Sequence, residues 1–136
     1  MEASVLAILT NVVDYMEKSG VNRKLVNFEI DENLINEIYE ASGHQYSMAE
    51  LTSAADKCFA HEWIENRSIG TKYSYLGITE KGVGIVRSKR KQELDKKNRK
   101  LLKKISDYIE DHKGLFLFLG VAVALASLII KIYSGK

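Results

Sequence analysis

The chain contains no proline, one cysteine and one tryptophan in 136 residues. Average usage would supply about 5% proline. Without it, no position has the fixed φ and missing N–H that interrupt a helix, so long helices are permitted. The single thiol, Cys58, excludes an intramolecular disulfide and points to a reducing compartment. The opening Met1-Glu2-Ala3-Ser4 lacks the basic start and cleavage signature of a secretory leader, and it lacks the glycine that myristoylation requires. Positive charge is scarce in the first part of the chain. Residues 1–79 carry six Lys/Arg against twelve Asp/Glu, and residues 80–136 carry fourteen against six. The formal charge of +2 therefore divides into −6 and +8. A basic balance of this kind is no signature of nucleic-acid binding for the whole chain.

What the chain has is one long apolar run. Residues 114–130 read GLFLFLGVAVALASLII, seventeen positions without a charge, followed by Lys131, Ile132, Tyr133 and a tail at 134–136. At 1.5 Å per residue the run spans ~25 Å, and ~30 Å if continued to Tyr133, about one hydrocarbon thickness. This predicts a transmembrane helix over 114–133, with Leu115, Phe116, Phe118, Gly120, Ala124 and Ile130 in the apolar region. Lys131 can snorkel to the headgroups, and Tyr133 suits the interface. A buried core helix would need a second domain to cover it, and an interfacial helix would need a polar face where only Ser127 is polar. His112, Lys113 and a dense basic run precede the span, and only Lys131 and Lys136 follow it. Retention of positive charge inside puts the N-terminal part in the cytoplasm. So short a tail implies tail-anchored insertion, with a bacterial inner membrane as the expected setting. On that side the sequon Asn66-Arg67-Ser68 meets no glycosylation machinery.

Residues 1–86 suffice for one modest core. Val5, Ile8, Leu9, Val12, Val13 and Met16 form a helical stripe ending at Ser19-Gly20. Val26, Phe28 and Ile30 alternate as in a short strand. Asp31 caps a second helix with Leu34, Ile35, Ile38 and Tyr39 inward and Gly43 after its end. Ser47 and Glu50 form a capping box for a third helix, with Met48, Leu51, Ala55, Cys58 and Phe59 as its apolar positions. Trp63-Ile64 and Tyr73 to Ile78 flank a Gly-containing loop and read as a β-hairpin. Thr79 opens a long helix.

The order helix, strand, helix, helix, hairpin, helix resembles the winged helix-turn-helix fold. The resemblance is carried by Trp63 before the wing and by Tyr73-Ser-Tyr-Leu-Gly-Ile-Thr-Glu-Lys-Gly82 after it. That run is similar to the passage from wing strand to final helix in regulators of the PadR and MarR kind. It implies a mainly α domain with a small hairpin, a third helix from Ser47 to about His61 as the reading helix, and a wing tip from Arg67 to Lys72. The candidate DNA or partner face is then His44, Gln45 and Tyr46 in the turn, Glu50, Ser53 and Lys57 on the third helix with Asp56 and His61, and Arg67 and Lys72 in the wing. Duplex binding draws its non-specific affinity from Lys and Arg at phosphates, and a head at −6 opposes it. Winged helices also dock proteins, and the charge favours that use.

Residues 87–104, RSKRKQELDKKNRKLLKK, hold ten basic and two acidic side chains and no glycine. A helical stalk over 87–113 is expected. Arg87, Lys89, Arg90, Lys91, Lys96, Lys97, Arg99, Lys100, Lys103 and Lys104 are candidates for anionic lipid headgroups because the run adjoins the span. A plain solvated helix face and a nucleic-acid contact are the alternatives. Leu94, Leu101, Ile105 and Tyr108 make a thin a/d seam, and Gly120 with Ala124, like Ala122 with Ala126, allows close approach of spans. Self-association is therefore expected. Cys58, His61 and Glu62 fall short of a four-ligand zinc site, and Gly82-Val-Gly84 lacks the further glycines of a dinucleotide fingerprint. No cofactor and no enzyme activity is expected. The leading expectation is a membrane-tethered adaptor that docks a cytoplasmic protein. A membrane-bound DNA regulator and a membrane-perturbing effector of toxin or phage-defence type are the other two.

Overall fold

The computed structural model describes residues 1–134, so positions 135 and 136 of the expected tail, with Lys136, lie outside the described residues. The elements run α1 (Ala3–Ser19), a 3₁₀ turn (Arg23–Leu25), α2 (Glu32–Ser42), α3 (Met48–Ala60), β1 (Ile64–Asn66), β2 (Leu76–Ile78), α4 (Glu80–Asp111) and α5 (Lys113–Ser134). This is a mainly helical protein with one small antiparallel hairpin and one long apolar helix at the C-terminal end. It divides into two compact units, Met1–Lys91 and Gln92–Lys136, with the division falling inside α4.

The helix boundaries in the first unit follow from local chemistry. α1 ends where Gly20 takes a left-handed φ of 65°, and α2 ends the same way at Gly43 with φ 69°. Asp31 accepts from the Leu34 N–H at 2.9 Å and starts α2. Ser47 and Glu50 make the reciprocal capping box that starts α3. Thr79 starts α4: its hydroxyl accepts from Gly82 N–H at 3.2 Å and donates to the Glu62 carbonyl at 2.7 Å. Gly82 is required here, because a Cβ would overlap the Trp63 carbonyl and lie 2.9 Å from Ile78 Cγ1.

The core is one cluster to which every element of this unit except the 3₁₀ turn contributes. Val5, Ile8, Leu9, Val12 and Val13 of α1 meet Leu34 and Ile38 of α2, Leu51, Ala54, Ala55 and Cys58 of α3, the strand residues Ile64, Leu76 and Ile78, and Val83 and Val86 of α4. Two residues expected inward are exposed. Tyr39 of α2 is 52% accessible and Met48, the first residue of α3, is 39%. Tyr39 lies about 100° round the helix from buried Ile38, outside the stripe that faces α1 and α3. Ala54, not expected, completes the inner face of α3.

β1 and β2 pair in the register Ile64↔Ile78, Glu65↔Gly77 and Asn66↔Leu76. The expected strand through Val26, Phe28 and Ile30 is reduced to a single bridge. Phe28 exchanges both backbone bonds with Leu76 (2.9 and 2.8 Å), and Ile30 N–H donates to the Tyr73 carbonyl at 3.0 Å. A longer ladder is blocked because Val26 N–H closes the preceding turn onto Arg23 and the Val26 carbonyl accepts from Arg67.

Among the described residues the second unit is helical except at His112. Every residue from 91 to 134 is exposed, and α5 buries no side chain. α4 gives way to α5 at His112, whose carbonyl accepts from Leu115 N–H at 2.9 Å and Phe116 N–H at 3.2 Å. The His112 ring stacks on Tyr108 with centroids 4.4 Å apart. α5, at 22 residues, is long and apolar enough to cross a membrane, and it begins at Lys113 rather than at the expected 114. Its length is ~33 Å by helix rise, which matches a hydrocarbon core.

Candidate functional site: charged surfaces of the head and the exposed tail

The turn before α3 holds three of the candidate residues. His44 and Gln45 are exposed, while Tyr46 is half-buried against the core and meets the His44 ring edge-on at 4.6 Å. On α3, Glu50, Ser53, Asp56, Lys57 and His61 all face outward, as the helical spacing predicts. Their partners limit what they can offer. Glu50 accepts from Ser47 N–H and from the Ser47 hydroxyl, both at 2.8 Å, and these bonds hold its carboxyl below the ordinary range. Lys57 Nζ sits 2.5 Å from Glu2 Oε1, pinning the start of α1 to α3. Exposed pairs such as this one contribute little stability, but they occupy the cation.

The hairpin and its loop differ most from their expected role. Arg67, expected as a phosphate contact at a wing tip, is folded back onto the domain with its side chain only 19% accessible. Its Nε donates to Glu65 Oε1 at 2.9 Å, and Nη1 donates to the carbonyls of Lys24 (2.9 Å), Val26 (3.0 Å) and Arg23 (3.3 Å). The guanidinium fork thus satisfies the Lys24 and Val26 carbonyls and adds a second donor to the Arg23 carbonyl that closes the 3₁₀ turn. Gly77 lies directly beneath, and a Cβ there would overlap the guanidinium. Lys72 remains exposed but pairs with Asp56 Oδ1 at 2.8 Å, and Tyr73 Oη donates to the same oxygen at 2.9 Å. Lys72 and Tyr73 lower the Asp56 carboxyl, and Asp56 in turn raises Lys72.

Arg90, assigned from sequence to lipid headgroups, instead closes the head. Its guanidinium donates to Glu17 at 2.9 Å and pairs with Asp14, joining α4 to α1. Arg87, Lys91, Lys96, Lys97, Arg99, Lys100, Lys103 and Lys104 are exposed and Lys89 is half-buried; among the described residues these nine form no ion pair. Leu94, Leu101, Ile105 and Tyr108 are also exposed, so the seam is unpartnered within this chain. On α5, Leu115, Phe116, Phe118, Gly120, Ala124, Ile130, Lys131 and Tyr133 are all open. Cys58 is fully buried, and burial pushes its thiol up to about 12, which makes it inert as a nucleophile at neutral pH.

One surface was not foreseen. Two adjoining hollows of about 370 and 350 Å³ run along α1 and α2 and share Asn11, Tyr15 and Glu37. Val12, Val26, Phe28 and Leu34 make an apolar floor in the first, rimmed by Glu29, Asp31 and Glu37; the second is polar, with Asp14, Glu37, Glu40 and Lys18 around Tyr15 and Ala41. The signal for it was present: Asp14 and Tyr15 fall off the apolar stripe of α1, and Glu37 and Glu40 fall off that of α2. Nothing in the sequence brought the two faces together. No protein-family model, curated protein or solved structure matches the chain.

Proposed function

We propose that this chain is a membrane-tethered interaction module whose winged-helix-type head docks a protein partner in the cytoplasm, with self-association through stalk and span. The observation that carries the reading is the engagement of the three cations on the candidate face. Arg67 is folded onto backbone carbonyls, Lys57 pairs with Glu2 and Lys72 with Asp56. A duplex reader needs such groups available for phosphate, and this head holds −6 over residues 1–79. The bridge between Phe28 and Leu76 supports the winged-helix description, since it lays a third short strand segment beside the hairpin. The cytoplasmic orientation is supported by the basic flank before α5. The unpaired cations of the stalk suit an acidic leaflet, at about 1 kcal/mol for each one near the surface. The role in this reading is non-catalytic.

The test is a titration of the full-length chain in bilayer nanodiscs with duplex DNA. Binding no tighter than about 10 µM at physiological salt, the non-specific range, is expected. Tight, sequence-selective retention would sink the adaptor reading and install the DNA regulator. Protease added to the cytoplasmic side should remove the head, and protection there would reverse the orientation.

A further inference from the structure

The groove between α1 and α2 has an apolar floor at one end and an acidic rim that continues to the other, and the same sequence supplies a basic helix. We infer that the groove receives the first part of the stalk, residues 87–97, from a second copy of this chain. The inference rests on the proposed self-association and names the contact that makes it specific.

Three observations carry it. The first is charge complementarity. Glu29, Glu37 and Glu40 rim the hollows without an ion pair among the described residues, beside Asp14, which Arg90 partly neutralises, and Asp31, which caps α2; Lys18 is the one cation in the lining, while residues 87–104 hold ten cations and two anions. The second is a contact already formed within the head. Asp14 both lines the groove and takes the Arg90 guanidinium, with Glu17 as the second acceptor at 2.9 Å. The groove therefore opens beside the point where the basic run begins. The third is the floor. Tyr15, at 56% accessible, stands in both hollows with half-buried Phe28 near it. Exposed Tyr beside an apolar floor gives a large rigid contact for the methylenes of Lys and Arg or for Leu94. A purely solvated acidic face would need neither feature.

In a parallel pair held by two spans, the stalks lie side by side and each stalk starts next to its neighbour's head. Lys89 and Lys91 of one copy can then enter the other's groove at Glu37 and Glu40, while Lys100, Lys103 and Lys104 remain for headgroups. The pairing is electrostatic at its rim, so it weakens with salt.

The experiment uses the full-length chain in zwitterionic nanodiscs prepared from a mixture of isotopically light and heavy protein. A photo-crosslinking phenylalanine analogue replaces Tyr15, and a second preparation carries it at Leu101 to report stalk pairing. The expected result is light-to-heavy crosslinks from position 15 to residues 87–97. The combination Glu37→Lys and Glu40→Lys, both exposed, should reduce them at least fivefold. Adding Lys89→Glu and Lys91→Glu to the other copy should restore them. Position 101 should crosslink throughout. Loss of crosslinks at 101 as well as at 15 would mean that self-association itself fails. Retention at 101, with position 15 reaching no stalk residue of another copy or reaching it regardless of charge reversal, would overturn the groove contact alone.

Discussion

In α1 the side chains of Val5, Ile8, Leu9, Val12 and Val13 vanish from solvent; in α5 none does, although α5 is the more apolar helix. The head and the tail differ in what receives their apolar surface. In the head each helix presents a stripe that another element of the same chain covers, and the polar termini are closed by caps and by Arg67. In the tail, apolar groups surround the whole circumference of α5, and none of them is buried among the described residues. Burial of apolar surface is the main favourable term in folding, so the two parts are stable under different conditions. The head carries its own core, while the tail requires a bilayer. The basic run between them is mostly exposed.

The strongest test of that contrast places charge in the tail. Leu119→Arg with Val123→Arg should cost about 5–7 kcal/mol of insertion, since each Arg at a helix centre costs about 2.5–3.5 kcal/mol. The chain should move from the membrane to the soluble fraction on carbonate extraction, while the head melts at an unchanged temperature. A shift in that melting would mean the two parts are not independent. Next in size is Gly82→Ala, which drives a methyl into the Trp63 carbonyl and should cost the head about 3 kcal/mol. Gly84→Ala, two residues on with open space around it, should instead stabilise by about 0.5–1 kcal/mol. Chemical denaturation of the two variants reads the difference, and equal effects would remove the steric account of Gly82.

Arg67→Ala should destabilise the head by about 1–2 kcal/mol by leaving the carbonyls of Lys24 and Val26 without this donor. Arg67→Lys should recover only part, because an ammonium cannot present a fork. A stable Arg67→Ala protein would return the residue to the list of free surface cations. The smallest effects are on pH. Glu50, Asp56 and Glu62 have lowered folded values, caused first by Ser47, Lys72 and Lys81 respectively. Their contribution is present above the unfolded values of 4.5, 3.8 and 4.5 and disappears as pH falls through the folded ones. Cys58 acts at the other end. Its raised thiol contributes fully below 9.0, and that contribution is lost as pH rises towards about 12. Thermal melts across pH should therefore show a shallow acid limb and an alkaline limb that Cys58→Ala diminishes. An alkaline limb unaffected by that substitution would show that the thiol is not held in the core.

Much of this protein is visible in its periodicities. The stripe of α1, the Asp31 cap, the Ser47–Glu50 box and the apolar run of α5 are local patterns, and each is formed by the residues that announce it. The strand through Val26, Phe28 and Ile30 was legible only as alternation. Its reduction to a bridge depends on Arg67, about forty residues away, taking the Val26 carbonyl. The intramolecular partners of Arg67 and Arg90 were invisible for the same reason. A basic residue in a loop or a charge run looks solvent-facing until a distant partner is known, and Asp14, Glu17 and three carbonyls are such partners. The α1–α2 groove was illegible because its rim comes from two helices and the linker between them.

The sequence by itself determined what depends on neighbours in the chain. Helix starts and stops, the hairpin, the division of charge into −6 and +8 and the length of the membrane-spanning helix follow from spacing, capping chemistry and a fixed rise per residue. Only the tertiary structure decided which cations are engaged and which remain open. It closed Arg67 and Arg90 onto the head, left the other cations of residues 87–104 without an ion pair among the described residues, and set Glu37 and Glu40 across from Asp14 and Tyr15. The physical reason is range. Backbone geometry and capping act over a few residues, whereas a salt bridge or a groove exists only after the core has brought distant segments together.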